Sequence, residues 1–539
     1  MKKLKKLTII FVAVLFTAEG LFALPGDKKS SEAINYIDKQ EALKAQSEEG
    51  KEAVFKLDPI IAIADEIPVE ECFEIEEINF PGATLLSDAQ KEEFTREFFD
   101  GCDKIPRLNE LTKRVHDYYI EEGYITSQVY LKPQDLSGGV IEITVLEGRI
   151  EKIESEIYTG LIYPGYEGEL LNINELKSSL KMLNILKSKR AKMTLKSGSK
   201  NGYSIVKIDY ENKGRELISY FNFNNNFGKD LEWVPMGIGI EWENPFNAFD
   251  TLSVQLNRVL QPNNKDIALG SSIAYDLPVY RFTFSLEHAQ FTYDQSLRDV
   301  NYNYNSEGRS EVYSGAASYL AYNSRSNKLQ LELGADYKQN RTFLPNPAAR
   351  AVDYRMAIGR AALKHTFYGP SYFVDTKLEY NHGRATELSY FDTDFDKYIG
   401  ELSLTKYFVP QIPLIYSFTA YGQMSNNILP GSEQISIGGP NTVRGYKYLG
   451  VGGSSGAYAR NELLYEERMR FANVYPYVAF DYGRVRCLNS SSCGELYGGA
   501  VGVRLQEKHF NFDLFYGLPL QTSEQKALSQ INISVVLNY

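Results

Sequence analysis

The chain has 539 residues and a formal net charge of −11, which argues against nucleic-acid binding, since that requires a basic face. Tyrosine is frequent (39) and tryptophan rare (2), while mean hydropathy is −0.33. That balance fits a large secreted all-β protein or a membrane β-barrel, whose apolar residues alternate with polar ones and whose aromatics form two interfacial girdles.

In chain order, Met-Lys-Lys-Leu-Lys-Lys at 1–6 precedes an apolar run from Leu7 to Ala18, with small residues at Gly20 and Ala23. A basic start, a short apolar core and small residues describe a secretory signal over residues 1–23. The run is too short to span a bilayer, and no later stretch approaches the roughly 18 apolar residues of a transmembrane helix. Export places the four cysteines in an oxidising compartment, where two local pairs, Cys72–Cys102 and Cys487–Cys493, are predicted disulfides. The five histidines are scattered without ligand spacing, so neither a metal nor another cofactor is expected. Residues 24–69 are polar. Within them Ser31 to Val54 has helix-forming composition, with Ser31 as N-cap. This stretch reads either as a disordered periplasmic tail or as a detachable helix able to occupy a pore.

From Cys72 the texture changes. Residues 72–80 alternate as a strand, and helical patterns follow over 88–100 and 107–123, the second with Leu108, Leu111, Val115, Tyr118 and Tyr119 on one face. Strands at 125–131 and 139–146 complete a β-α-α-β-β unit over residues 70–149. A second copy occupies 150–214, with a strand at 150–157, a helix at 174–186 and strands at 191–195 and 203–210. An internal repeat of this kind implies two tandem small domains.

Residues 215–539 read as strands separated by turn chemistry. In the last of them Ile531, Ile533, Val535, Leu537 and Tyr539 alternate with Gln530, Asn532, Ser534 and Asn538. Apolar-out, polar-in alternation at this length is the transmembrane β signature. Sixteen strands are predicted, the first near residue 216 and the last near 530. With the N-terminal domains in the periplasm, the connections after strands 11 and 13 lie outside the cell. The first carries Val443-Arg444-Gly445-Tyr446. On strand 13 lies Phe480-Asp481-Tyr482-Gly483. An arginine beside glycine in a long loop, and an aspartate facing a lumen, invite a buried ion pair, because the guanidinium fork matches a carboxylate.

These parts, in this order, resemble the two-partner-secretion transporters, the haemolysin/haemagglutinin secretion and activation proteins of the Omp85 superfamily. Cys72-Phe73, Gly101-Cys102, Gly123-Tyr124, Val129-Tyr130-Leu131 and Glu147-Gly148-Arg149-Ile150 resemble their first POTRA domain. Val443–Tyr446 resembles the tip of the superfamily's inward-folded sixth loop, and Phe480–Gly483 its partner on the barrel wall. The resemblance implies a membrane all-β fold: a 16-stranded antiparallel barrel preceded by two small α+β POTRA domains, in the outer membrane of a Gram-negative-type envelope. It implies a loop–barrel lock made of Val443, Arg444, Gly445, Tyr446, Phe480, Asp481 and Gly483.

Arg460 and Glu462 share a face of strand 12 and are candidates to extend that network. Ala191, Lys192, Met193, Thr194 and Leu195 form a candidate client-docking strand, because an unfolded chain can add to an open sheet edge. The partner implied is an unfolded, β-rich secreted exoprotein, of adhesin or haemolysin type, with outer-membrane lipid around the barrel and no small-molecule substrate or nucleotide. The runner-up is an Omp85 insertase that assembles other barrels. An enzyme is not expected: Gly452–Gly456 matches a nucleophile-elbow pattern, but in a flexible loop without the strand–turn–helix and histidine that motif needs.

Overall fold

The computed structural model describes residues 73–96, 102–103, 105–134, 138–225, 234–260, 267–298, 303–324, 326–343, 352–386, 393–408, 412–446, 450–486, 494–520 and 529–539. The signal segment, the helix predicted at 31–54, and Cys72, Cys487 and Cys493 lie outside the described residues.

The first unit comprises β1 (Phe73–Glu74), β2 (Glu77–Asn79), α1 (Asp88–Thr95), β3 (Cys102–Asp103), α2 (Ile105–Glu121), β4 (Gln128–Leu131) and β5 (Val140–Leu146). The strand predicted over 72–80 is two short strands. β1 pairs with β3, and β2 runs parallel to β5. The chain changes partners between them because the Glu76 and Glu77 amides both donate to the Gly139 carbonyl, at 2.8 and 3.1 Å. Ser87 starts α1 through a capping box with Gln90. Helix α2 lays Leu108, Leu111, Val115 and Tyr119, all fully buried, on Ile141 and Ile143 of β5. Burying each such side chain stabilises the unit by about 1.5–3 kcal/mol.

The second unit comprises β6 (Arg149–Ser155), α3 (Ile173–Leu183), β7 (Lys189–Ser197) and β8 (Tyr203–Asn212), with sheet order β6–β8–β7. Its core does not end at its own residues. Phe249, from a turn, and Leu320, from the end of a strand, both at the near end of the barrel, are buried in one cluster with Ile150, Leu176 and Val206. The Glu243 carboxylate accepts the Lys187 and Ser188 amides at 3.0 and 2.8 Å. Lys181 donates to the Asn323 side chain at 3.1 Å. Apolar burial and charged hydrogen bonds thus seat this unit on the barrel mouth.

The barrel begins with β9 (Leu217–Asn224), β10 (Val234–Glu243), β11 (Thr251–Leu260), β12 (Ile267–Val279) and β13 (Phe282–Arg298). It continues through β14 (Asn303–Asn323), β15 (Asn327–Phe343), β16 (Val352–Tyr368), β17 (Tyr372–Thr386), β18 (Asp394–Tyr407) and β19 (Leu414–Met424). After a loop containing β20 (Ile435–Ile437) and β21 (Val451–Gly453), the wall resumes with β22 (Ser455–Tyr465) and its two-residue extension β23 (Glu467–Arg468). It ends with β24 (Asn473–Arg486), β25 (Gly494–Glu507), β26 (Phe510–Pro519) and β27 (Gln530–Asn538).

Among the described residues sixteen long antiparallel strands close a barrel, with β27 pairing back onto β9. The alternation is the reason it closes in a membrane. On β27 Gln530 and Asn532 are buried in the lumen, while Ile531 and Leu537 are exposed on the outer face. Closure pairs the first and last strands, β9 and β27, with each other, edges that hydrocarbon would otherwise leave unpaired. Among the described residues no helix is long and apolar enough to cross a membrane.

Candidate functional site

The loop between β19 and β22 does not project away from the barrel. It folds inward as a small hairpin, with β20 paired to β21, and carries residues 443–446 onto the inner wall. Val443 packs with Ile435, Ile437, Val485 and Leu496. Tyr446 donates its hydroxyl hydrogen to the Tyr497 carbonyl at 2.9 Å.

Arg444 is wholly buried, and so is Asp481 on β24. The guanidinium engages both carboxylate oxygens, Nε to Oδ2 and Nη2 to Oδ1, each at 2.6 Å. The Arg444 backbone amide adds a third bond to Oδ2 at 3.0 Å. Its remaining arm, Nη1, donates to Glu462 Oε1 of β22 at 2.6 Å. The second arginine of the cluster, Arg504 on β25, holds Glu462 from the other side, with Nη1 2.8 Å from Oε2. Arg504 also donates to Asp513 at 3.2 Å and lies over the Tyr477 ring at 4.5 Å. Two guanidinium groups and three carboxylates thus form one hydrogen-bonded chain across four strands and the loop. In a site this dry, removing one partner strands a charge, at about 3–5 kcal/mol.

Glycines let the loop backbone lie this close. Gly445 has φ +95°, a left-handed conformation that favours glycine, and a β-carbon on it would meet the Leu518 carbonyl carbon at 2.3 Å. A β-carbon on Gly483 would meet Val443 Cγ2 at 2.8 Å. One residue expected in the lock is not part of it. The strand pleat that turns Asp481 inward turns Phe480 outward, where it is about half exposed on the lipid-facing surface beside Val478.

Arg460 lies at the margin of the cluster. Its Nη1 donates to the Asn441 carbonyl at 3.1 Å, and its Nη2 stands 3.7 Å from Glu462 Oε1. Arg504 and Asp513 were not singled out from the sequence. The available signal was a single charge, Arg504, on an inward face otherwise made of Gly498, Ala500 and Gly502. The Gly452–Gly456 stretch is not a free loop. It forms β21 and the start of β22, and Ser454 Oγ accepts the Leu429 amide at 2.9 Å.

Far from this cluster, residues 191–195 lie within β7, an edge of the second unit's sheet. The Ala191 amide and carbonyl both bond the Asn184 side chain, at 2.7 and 3.3 Å, while the Ser188 carbonyl and Gly198 amide bond the β8 side. Strand geometry therefore points the backbone groups of Met193 and Leu195 away from β8, along the open edge.

A closed sixteen-stranded barrel preceded by two α+β units, the second seated on its mouth, and with a loop pinned inside its lumen defines an outer-membrane transporter of the Omp85 kind. A family model for haemolysin secretion/activation proteins (ShlB/FhaC/HecB) matches residues 202–505, and one for the ShlB-type POTRA domain matches 73–148. The chain belongs to the haemolysin secretion/activation protein family of two-partner-secretion transporters.

Relatives include the outer membrane transporter CdiB of Dickeya dadantii, 26% identical over 95% of each chain. Another is the hemolysin transporter protein ShlB of Serratia marcescens, 24% identical over 77% of this chain and 76% of that one. The structure of CdiB from Escherichia coli superposes with TM-score 0.76 at 22% identity, covering 96% of this chain and 99% of that one, and shares the fold. The protein is thus an outer-membrane barrel whose N-terminal units lie in the periplasm, and its relatives are transporters.

Proposed function

We propose that this chain takes an unfolded, β-rich exoprotein from the periplasm and passes it through the barrel to the cell surface, without nucleotide hydrolysis. The client docks first by adding a strand to β7, where the edge is open from Met193 onward. Main-chain bonds of this kind give affinity with little demand on client sequence. Folding outside the cell then draws the chain through.

The observation that carries the reading is the burial of Arg444 against Asp481 and Glu462 in the lumen. A permanently open diffusion pore has no need of a loop held across its interior by a dry ion-pair chain. The loop is the movable part, and the lock sets its resting position.

The test compares culture supernatant and outer-membrane proteomes with and without this chain. Loss of one or two large exoproteins, with other barrels unchanged, is the expected result. Broad depletion of outer-membrane barrels would instead make the protein an insertase.

A further inference from the structure

The hairpin loop touches the barrel at a second place, well away from Arg444. Its descending limb contains Leu429 and a single 3-10 turn, Gly431–Glu433. Leu429 is fully buried in a cluster with Tyr354, Met356 and Ile358 of β16 and Phe395 of β18. Glu433 is almost completely buried. Its Oε1 accepts from Lys338 Nζ of β15 at 2.6 Å, and its Oε2 from Lys397 Nζ of β18 at 2.7 Å. The Glu433 carbonyl accepts from the Gln423 side chain at 2.8 Å, and Ser432 Oγ lies 3.4 Å from the Tyr354 hydroxyl.

Each carboxylate oxygen of Glu433 thus faces its own ammonium, and the two lysines come from strands that are not neighbours in the sheet. The Arg444 cluster uses none of these strands. It draws on β22, β24, β25 and β26, on the far side of β19. The loop therefore bridges two sectors of the wall, its descending limb seated on β15–β18 and its tip on β22–β26.

We propose that Glu433 is a second, independent latch: it fixes the descending limb of the loop to β15 and β18, so that releasing the Arg444 tip alone leaves the lumen partly obstructed. The physical ground is the same as for the tip. Lys338 and Lys397 have lost most of their water, and without Glu433 two cations would face each other across the limb. The carboxylate is what makes that arrangement tolerable, so its position is coupled to the loop being home. Full opening then requires both contacts to break. The proposal rests on the loop occupying the lumen and not on which client is carried.

Single-channel conductance of the purified full-length protein in planar bilayers reads the loop directly, without a client. Glu433→Gln should raise the frequency of open events several-fold over wild type, and so should Arg444→Ala. The double variant should reach larger conductance steps than either single variant. Glu433→Lys combined with Lys338→Glu should return gating toward wild type, which simple misfolding would not do. Wild-type gating in Glu433→Gln, or a double variant no more open than Arg444→Ala, would overturn the second latch. Those results would leave the secretion reading standing, since that reading is decided by export and not by conductance.

Discussion

A β-carbon placed on Gly498 would sit 2.0 Å from the carbonyl oxygen of Arg444. The wall of β25 is thus bare where the loop tip crosses it, and the tip presses against backbone. Gly498→Ala should push the tip off Asp481, since overpacking costs about 1–3 kcal/mol even where neighbours can give way. Limited proteolysis of the loop in folded barrels checks this, and faster cleavage than wild type is the expected outcome.

Arg504 shares Glu462 with Arg444: its Nη1 and Nη2 donate to the two carboxylate oxygens at 2.8 and 3.1 Å, while Arg444 Nη1 donates to Oε1 at 2.6 Å. Arg504→Met should lower the denaturant midpoint of the barrel, because it removes the guanidinium that donates to both Asp513 and Glu462, a loss of about 3–5 kcal/mol. Arg504→Lys should rescue little of this, since an ammonium cannot make both the two bonds to Glu462 and the bond to Asp513.

Acid should loosen the descending limb. Burial alone would raise the Glu433 carboxyl, but Lys338 and Lys397 outweigh it and hold the group low, at about 2. A carboxyl held below its ordinary value stabilises the seated limb above about pH 5. That contribution fades as the pH falls toward 2. Conductance compared at pH 7 and pH 3 should show more open events at the lower pH, with a smaller difference in Glu433→Gln.

Proline distinguishes the two sides of β7. The Met193 amide points along the open edge, so Met193→Pro should leave the sheet intact while blocking strand addition by a client. Thr194→Pro should damage the sheet itself, because that amide faces β8. Export of the client against the thermal stability of the protein separates the two. Loss of export with unchanged stability in Met193→Pro is expected.

The barrel was legible in the sequence because a side-chain period of two is written residue by residue, as in the alternation of Ile531 and Leu537 with Gln530 and Asn532. The loop tip and Asp481 were legible because both sit in short motifs of glycine, aromatic residue and charge. The Glu433 latch was not. Its lysines lie 95 and 36 residues away along the chain, and only closure of the barrel brings them to one carboxylate. Phe480 shows the converse error: a motif names four neighbours, but the pleat can use only alternate ones inside the lumen. The break between β1 and β2 leaves a mark in the sequence that a single strand over 72–80 passes over: Phe73 and Ile75 alternate in one phase, Ile78 and Phe80 in the other, with the slip at Glu76–Glu77.

The most direct measurement is the amount of exoprotein released by cells carrying Arg444→Ala or Asp481→Ala, normalised to folded barrel in the outer membrane. Export should fall sharply in both variants, and by a similar factor, because each removes the same buried pair. Full export at normal barrel levels would show that the pair is structural decoration of the lumen and has no part in transport.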